Sequence, residues 1–421
     1  MTEPATFPEL TMDLRRRFVD QVAKTVRELY VFEDKANAMA DHLQTQEAAG
    51  GFDEIETIPE LAKYLTAELH SVHEDLHLYI DPWLPPTDGS DASAANLHEE
   101  MLRNKHRTNY DFRQLEILLG NVGYLDLRSF CPVRLSGETA AAAMQFLGHC
   151  DALIFDLRDN GGGEDLVQFL QSYLFEKPTH MVTQRHRSGR DRQTWTHPYV
   201  PSPKLVDQPA YVLISRSTFS AGEDFAFTLQ RQGRVVVVGE QTRGGAHPVE
   251  FYRFPDLCLE IMIPEEFSVD PVSGDNWEAD GVIPDIRVPS GDALDAAHEI
   301  ALKTLLERQD AEQKADESLR TFRQWALRSV EAKRNRPNLA DDQLSLYPGT
   351  YGRSIEVFLD GDALKLCWGG RRDQILLPIG EHEFEFDRGT QRAEFVVKDG
   401  AITMLIARDH DGGEWRLPRK G

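Results

Sequence analysis

Residues 152–171 read ALIFDLRDNGGGEDLVQFLQ. An apolar run ends in Asp156 to Asn160, three glycines (Gly161, Gly162 and Gly163) make a turn, and apolar residues then return at helical spacing. Strand, turn and helix in that order is the unit of a parallel sheet, because parallel neighbours are joined only through a crossover. The alternation continues outward: strand VGYLDL (122–127), helix ETAAAAMQFLGH (138–149), strand AYVLIS (210–215), a helix from Ser220, and strand RVVVVG (234–239). The expectation is an α/β core with a mostly parallel sheet.

The flanks read differently. From Leu10 to Leu69 apolar residues such as Phe18, Val22, Val26 and Leu29 recur at helical spacing, and HEDLHLYIDP (73–82) then alternates like a short strand. In that strand Leu76, Leu78 and Ile80 would share one face, with His77 and Tyr79 on the other. A linker rich in Pro, Ser, Asp and Ala precedes the core. A polar helical stretch runs over about 290–334, and beyond Tyr347 short strands and Gly/Asp turns predict an antiparallel β-domain. The expected division is an N-terminal helical domain (1–85), the α/β core (86–289), a helical linker (290–345) and the β-domain (346–421).

The chain has 421 residues, with 46 basic against 70 acidic side chains and a formal charge of -24. Such a balance disfavours nucleic acid and anionic membranes as partners. No apolar run is long enough to span a bilayer and the first residues carry no signal-peptide pattern, so a cytoplasmic protein is expected. The four cysteines, Cys131, Cys150, Cys258 and Cys367, have no metal or redox spacing and are expected as free thiols. Neither a metal nor another cofactor is expected.

In STFSAGEDFAF (217–227), Ser220 stands at the start of a helix with Glu223 three positions on. This is an S-x-x-E capping box, and Glu223 and Asp224 suit the positive end of a helix. It is equally the setting of a nucleophile, with free N–H groups at a helix start and the small Ala221 and Gly222 beside it. The DNGGG turn exposes backbone N–H groups that suit an oxyanion hole, and matches neither of the two common nucleotide-binding glycine patterns.

Taken together, ALIFDLRDNGGG, SRSTFSAGEDFAF, VVVVGEQTRGGAHP and WEADGVIPDIRV, in this order, resemble the carboxy-terminal processing (tail-specific) serine peptidase superfamily. The resemblance covers about Leu10 to Val288, and is strongest to the branch of the interphotoreceptor retinoid-binding protein repeats and the tricorn core. It implies a ClpP/crotonase-like core and a peptide or protein substrate. It implies Ser220 as nucleophile and Gly162 or Gly161, with Ala221, as oxyanion donors. Bacterial members use a lysine where this chain has Gly245, and no lysine occurs between Lys204 and Lys303. Arg243 cannot replace it, because a guanidinium does not deprotonate. The tricorn-like pattern implies His77 as base and Glu278 as the carboxylate that orients it, although Leu76 stands where that branch has a serine. His247, Gly244 and Gly245 are expected on the substrate side.

Two departures and two alternatives complete the reading. The interval from His77 to Gly120 is too short for an inserted PDZ domain. The same fold carries non-catalytic hydrophobic-ligand carriers, and an acyl-transfer site does not by residue type distinguish esters from amides. A histidine base with an ordinary pKa of about 6.5 predicts a rate rising over roughly pH 6 to 8.

Overall fold

The structure, a computed structural model, describes residues 6–84, 104–311, 316–370, 372–387 and 389–420. The expected Pro/Ser/Asp/Ala linker lies outside the described residues. The chain forms two compact units, one of residues 1–115, 125–149 and 155–291, the other of 116–124, 150–154 and 292–421.

In the first unit three helices, α1 (Met12–Leu29), α2 (Glu33–Ala48) and α3 (Ile58–Val72), pack together. Thr11 caps α1 by accepting the Leu14 N–H at 3.2 Å, and Thr57 caps α3 by accepting the Glu60 N–H at 3.3 Å. Phe18, Val22 and Val26 of α1 and Leu61, Leu65 and Leu69 of α3 share one core with Leu78, Ile80, Leu259 and Ile261. The predicted strand at 73–82 is shorter than its alternation suggested: β1 is Tyr79–Pro82. His77 lies in the turn before it and is buried along with Leu78 rather than opposite it. The cause is Asp75, whose carboxylate and carbonyl take the N–H groups of His77 (2.9 Å) and Leu78 (3.0 Å) and bend the chain there.

The central sheet has six strands, in the order β12-β8-β7-β4-β3-β2. They are β2 (Phe112–Leu118), β3 (Val122–Leu127), β4 (Ala152–Asp156), β7 (Ala210–Ile214), β8 (Val236–Gly239) and β12 (Ile286–Arg287). β8 runs parallel to both β7 and β12. All residues of β3, β4 and β7 are buried, as their mostly apolar runs require, with Asp126 of β3 and Asp156 of β4 buried among them. The strand β5 (His180–His186) pairs antiparallel with β6 (Arg192–Trp195) on one side and with β11 (Glu266–Val269) on the other. The strands β9 (Val249–Phe254) and β10 (Leu259–Pro264) pair antiparallel, and β10 receives β1 with Tyr79 opposite Met262. That last pairing fixes where the His77 turn ends.

The second unit holds the helices Ala293–Ala311 and Glu317–Arg334 and an antiparallel meander of eight strands, β13 to β20, over Gly349–Pro418. Its first and last strands also meet: Gly352 N–H donates to Pro418 O and Lys420 N–H to Thr350 O, both at 2.8 Å. Closure of this kind removes both exposed edges. Tyr351, Phe384, Phe386 and Phe395 fill its core. None of the four cysteines is in a disulfide. Among the described residues no helix is long and apolar enough to cross a membrane.

Candidate active site

Two turns meet at the ends of neighbouring strands. After β4 the chain runs through Arg158 to Gly163, and after β7 through Ser215 to Ser220. Thr218 Oγ1 donates to Leu157 O (2.7 Å) and Phe219 N–H to Asn160 O (3.0 Å), which ties one turn to the other. The helix Ala221–Arg231 then begins. Ser220 itself has φ 52° and ψ -119°, a region that side-chain-bearing residues avoid. Holding it there costs about 1 to 3 kcal/mol, which the surrounding bonds must offset. Glu223 supplies much of that hold. Its carboxylate, fully buried, accepts the N–H of Ser220 (2.9 Å), of Gly244 (2.7 Å) and of Gly245 (2.9 Å), and the Thr242 hydroxyl. The sequence marks it as the partner of Ser220 in a capping box and as a helix-dipole acid, and the bond from Ser220 N–H bears out the first; its wider role depends on a loop some twenty residues away.

The strained serine faces a histidine. His77 Nε2 lies 3.1 Å from Ser220 Oγ, across 143 positions of sequence. The imidazole stacks on Phe219, with ring centres 4.7 Å apart and planes 26° from parallel, and the Arg243 guanidinium also lies over Phe219, 4.5 Å from its centre. Burial pushes the His77 pKa down to about 4; the charges of His247 and Arg243 push the same way and Asp75 opposes them. The imidazole is therefore neutral at pH 7, and can accept a proton from the serine.

Around His77 the carboxylates differ from the expected arrangement. The buried Nδ1 of His77 has no hydrogen-bond partner, and Glu278 is not bonded to it. Glu278 instead accepts the Ala246 N–H at 2.6 Å and lies 3.6 Å from His247 Nδ1. Burial drives its pKa up to about 7, with the Asp75 charge adding to the rise and His247 opposing it. The carboxylate that does hold His77 is Asp75, through the backbone N–H. Asp75 Oδ2 also meets His247 Nδ1 at 2.7 Å and the Tyr30 hydroxyl at 2.8 Å. His247, expected on the substrate side, is only 2% exposed and belongs to this buried group. Burial opposes its charge, but the hydrogen bond and charge of Asp75 win and raise its pKa. One ligand atom each from Asp75, His247 and Glu278 lies within 4.8 Å of the others, as a metal would need. The 2.7 Å His247–Asp75 contact already uses two of those atoms, which makes the trio a hydrogen-bonded network here.

The glycines also differ from expectation. Gly162 N–H donates to Asn160 Oδ1 at 2.9 Å and Gly161 N–H to Arg128 O at 3.3 Å, so both presumed oxyanion donors are engaged. Gly162 serves in another way. At φ +104° its Cα packs on the serine so closely that a Cβ would stand 2.8 Å from Ser220 Cβ and 3.1 Å from Ala221 N. Ala221 N–H is the first of the helix, one of the donors that a helix leaves without an internal partner. Gly244 and Gly245 are buried, with their N–H groups turned to Glu223. A Cβ at Gly245 would reach within 2.4 Å of the Phe219 ring and 2.7 Å of His77 Cε1.

Residues 121–288 match the peptidase family S41, and residues 12–113 match the N-terminal domain of peptidase S41 in eukaryotic IRBP. Together the two take in well over half of the chain, which belongs to peptidase family S41. A carboxyl-terminal-processing protease of Picosynechococcus sp. is 26% identical over 199 residues, 45% of this chain and 46% of the relative. The chain thus spans about half the length of that curated relative. Among solved structures, a candidate peptidase from Parabacteroides merdae is similar over 69% of this chain and 96% of its own, with a TM-score of 0.49 and 20% identity. The photosystem II D1 C-terminal processing protease covers 66% of this chain and 93% of its own, with a TM-score of 0.43 and 14% identity.

Proposed function

We propose that the chain is a serine peptidase that cleaves peptide or protein substrates through an acyl-enzyme on Ser220. The observation that carries this reading is the 3.1 Å approach of a neutral, buried imidazole to a serine held at positive φ on a helix start. Ser220 Oγ attacks the substrate carbonyl while His77 Nε2 takes its proton. The ring returns that proton to the leaving amine, and water releases the acyl group by the reverse use of the same base. Ala221 N–H, at the positive end of its helix, is the donor for the oxyanion. In this scheme Ser220 and His77 act as a pair, and Glu278 supports His247 rather than the base. Parallel pairing of β7, β8 and β12 around the crossover helix Ala221–Arg231 supports a ClpP/crotonase-like core.

The test is covalent labelling with a fluorophosphonate, read by intact mass and peptide mapping. The wild-type chain should gain one adduct on Ser220, and Ser220→Ala none, while keeping its thermal midpoint to within the loss of a cap, about 1 kcal/mol. A wild-type serine that stays unlabelled would sink the peptidase reading. It would leave the hydrophobic-ligand carrier, a reading favoured by the match of residues 12–113 to the N-terminal domain in eukaryotic IRBP. A labelled enzyme that hydrolyses p-nitrophenyl esters but no peptide would instead be an esterase.

A further inference from the structure

We infer that Asp75 is the positioning residue of the base: it holds His77 by the backbone and is itself locked in place by His247 and Tyr30. The inference rests on the reading of Ser220 and His77 as a nucleophile and its base. A histidine base is ordinarily oriented through its second ring nitrogen. Here that nitrogen, His77 Nδ1, is buried and has no partner, so the ring cannot be set that way. What fixes it is the Phe219 stack on one side and the placement of its own Cα on the other.

Asp75 controls that placement. It is 0% exposed, and both oxygens are engaged: Oδ1 with His77 N–H, Oδ2 with His247 Nδ1 and the Tyr30 hydroxyl. Tyr30 ends α1 and His247 follows the glycine loop bound by Glu223, so the carboxylate joins the helical region to the loop beside the nucleophile. Burial works against its charge, yet the hydrogen bond and charge of His247 keep its pKa below the usual carboxylate value. An ion pair buried to this extent loses most of its worth when one member becomes neutral, since the other is left uncompensated. Glu278 and His73 are further titratable groups that feel its charge.

The experiment uses the full chain carrying Asp75→Asn and, separately, His247→Gln, a milder change that serves if the first fails to fold. Saturation kinetics of fluorophosphonate labelling separate the maximal rate of serine modification from probe binding. Resonances of the His77 ring nitrogens report its contact with Ser220 directly. Asp75→Asn should lower the maximal labelling rate about tenfold or more with probe affinity within about twofold, and should shift the His77 Nε2 resonance. His247→Gln should do the same to a smaller extent. A merely structural role would lower the thermal midpoint without that split. Folded variants with wild-type labelling rates and an unmoved His77 resonance would overturn the inference. If the wild type is unlabelled while the resonance still responds to Asp75→Asn, the peptidase reading fails and the positioning role stands.

Discussion

The His77 imidazole and the Arg243 guanidinium both lie against the Phe219 ring, and in the proposed mechanism burial of that imidazole, helped by the Arg243 charge, decides the pH at which the serine reacts. With the imidazole pushed down to about 4 by burial, it stays neutral well into the acid range. The ascending limb of labelling should therefore have its midpoint near pH 4, not in the window of an ordinary histidine. Arg243→Gln removes a positive charge that disfavours the imidazolium, and should move the midpoint upward; a rate still climbing between pH 6 and 8 in the wild type would contradict the assignment. The same displacement acts on stability. A histidine with a folded pKa below its unfolded value of about 6.5 is protonated more readily when unfolded. Its neutral form sets no penalty above that pH, and stability is withdrawn as the pH falls from about 6.5 to about 4. At about 1.4 kcal/mol per pH unit this amounts to roughly 3 kcal/mol. Urea unfolding at pH 7 and pH 4 should show that extra loss in the wild type and not in His77→Gln. His247 has the opposite sign: its raised pKa gives stability that is complete below about 6.5 and lost as the pH rises through the folded value.

In the proposed mechanism the glycine loop from Thr242 to Ala246 is the element that makes room for His77 as the base. A methyl at Gly245 would enter the Phe219 ring and the edge of His77, so the stacked pair and any side chain at 245 exclude one another. This position is where the bacterial branch carries its lysine. Gly245→Ala should cost about 1 to 3 kcal/mol of stability and slow serine labelling by displacing His77, as denaturant titration and labelling rates will show. Glu223→Gln should also loosen the loop, because a carboxamide has one acceptor oxygen for the four donors now shared between two. The expected loss is about 2 to 4 kcal/mol, with Ser220 released from its strained conformation. Much of this was legible in sequence. The apolar runs of β4 and β7, the DNGGG turn and the serine at a helix start are local patterns. The resemblance also singled out His77 and Ser220. What the chain order could not reveal was partnership. Tyr30 and Asp75 are 45 positions apart and Asp75 and His247 are 172 apart, and each alone reads as an ordinary residue. Glu278 has the family's place in the chain, but rotamer and backbone decide what its carboxylate meets, and here that is Ala246 N–H. His77 was read onto a strand face because alternation is blind to the Asp75 turn.

At the scale of the molecule, the second unit is assembled from three separate pieces of chain, so it does not end where sequence composition changes. Residues 116–124 and 150–154 lie with 292–421. Within that unit His298 Nε2 bonds Leu119 O at 2.8 Å, and Arg323 bonds the Asp151 carboxylate at 2.9 Å. Gly120, at φ +82°, leaves room for Leu302, whose Cδ2 would be 2.3 Å from a Cβ there. The two helices are thus covers for the short segments between β2 and β3 and before β4, rather than only a tether to the strands that follow. A chain ending at Gly291 would keep these segments and lose all three partners. A chain ending at Ser345 would keep both helices and all three contacts, and would lose the Trp325 Nε1–H bond to Gly389 O (2.9 Å) and the Arg392 cation over the Trp325 ring (3.8 Å). Losses of that second kind, between part-buried groups, are individually small, on the order of 1 kcal/mol, whereas uncovering apolar contacts and buried polar groups compounds. The chain ending at Gly291 should accordingly melt well below the one ending at Ser345 and aggregate on concentration, as thermal melts and light scattering of both will show. Equal midpoints for the two would mean that the helices add nothing to the segments they cover.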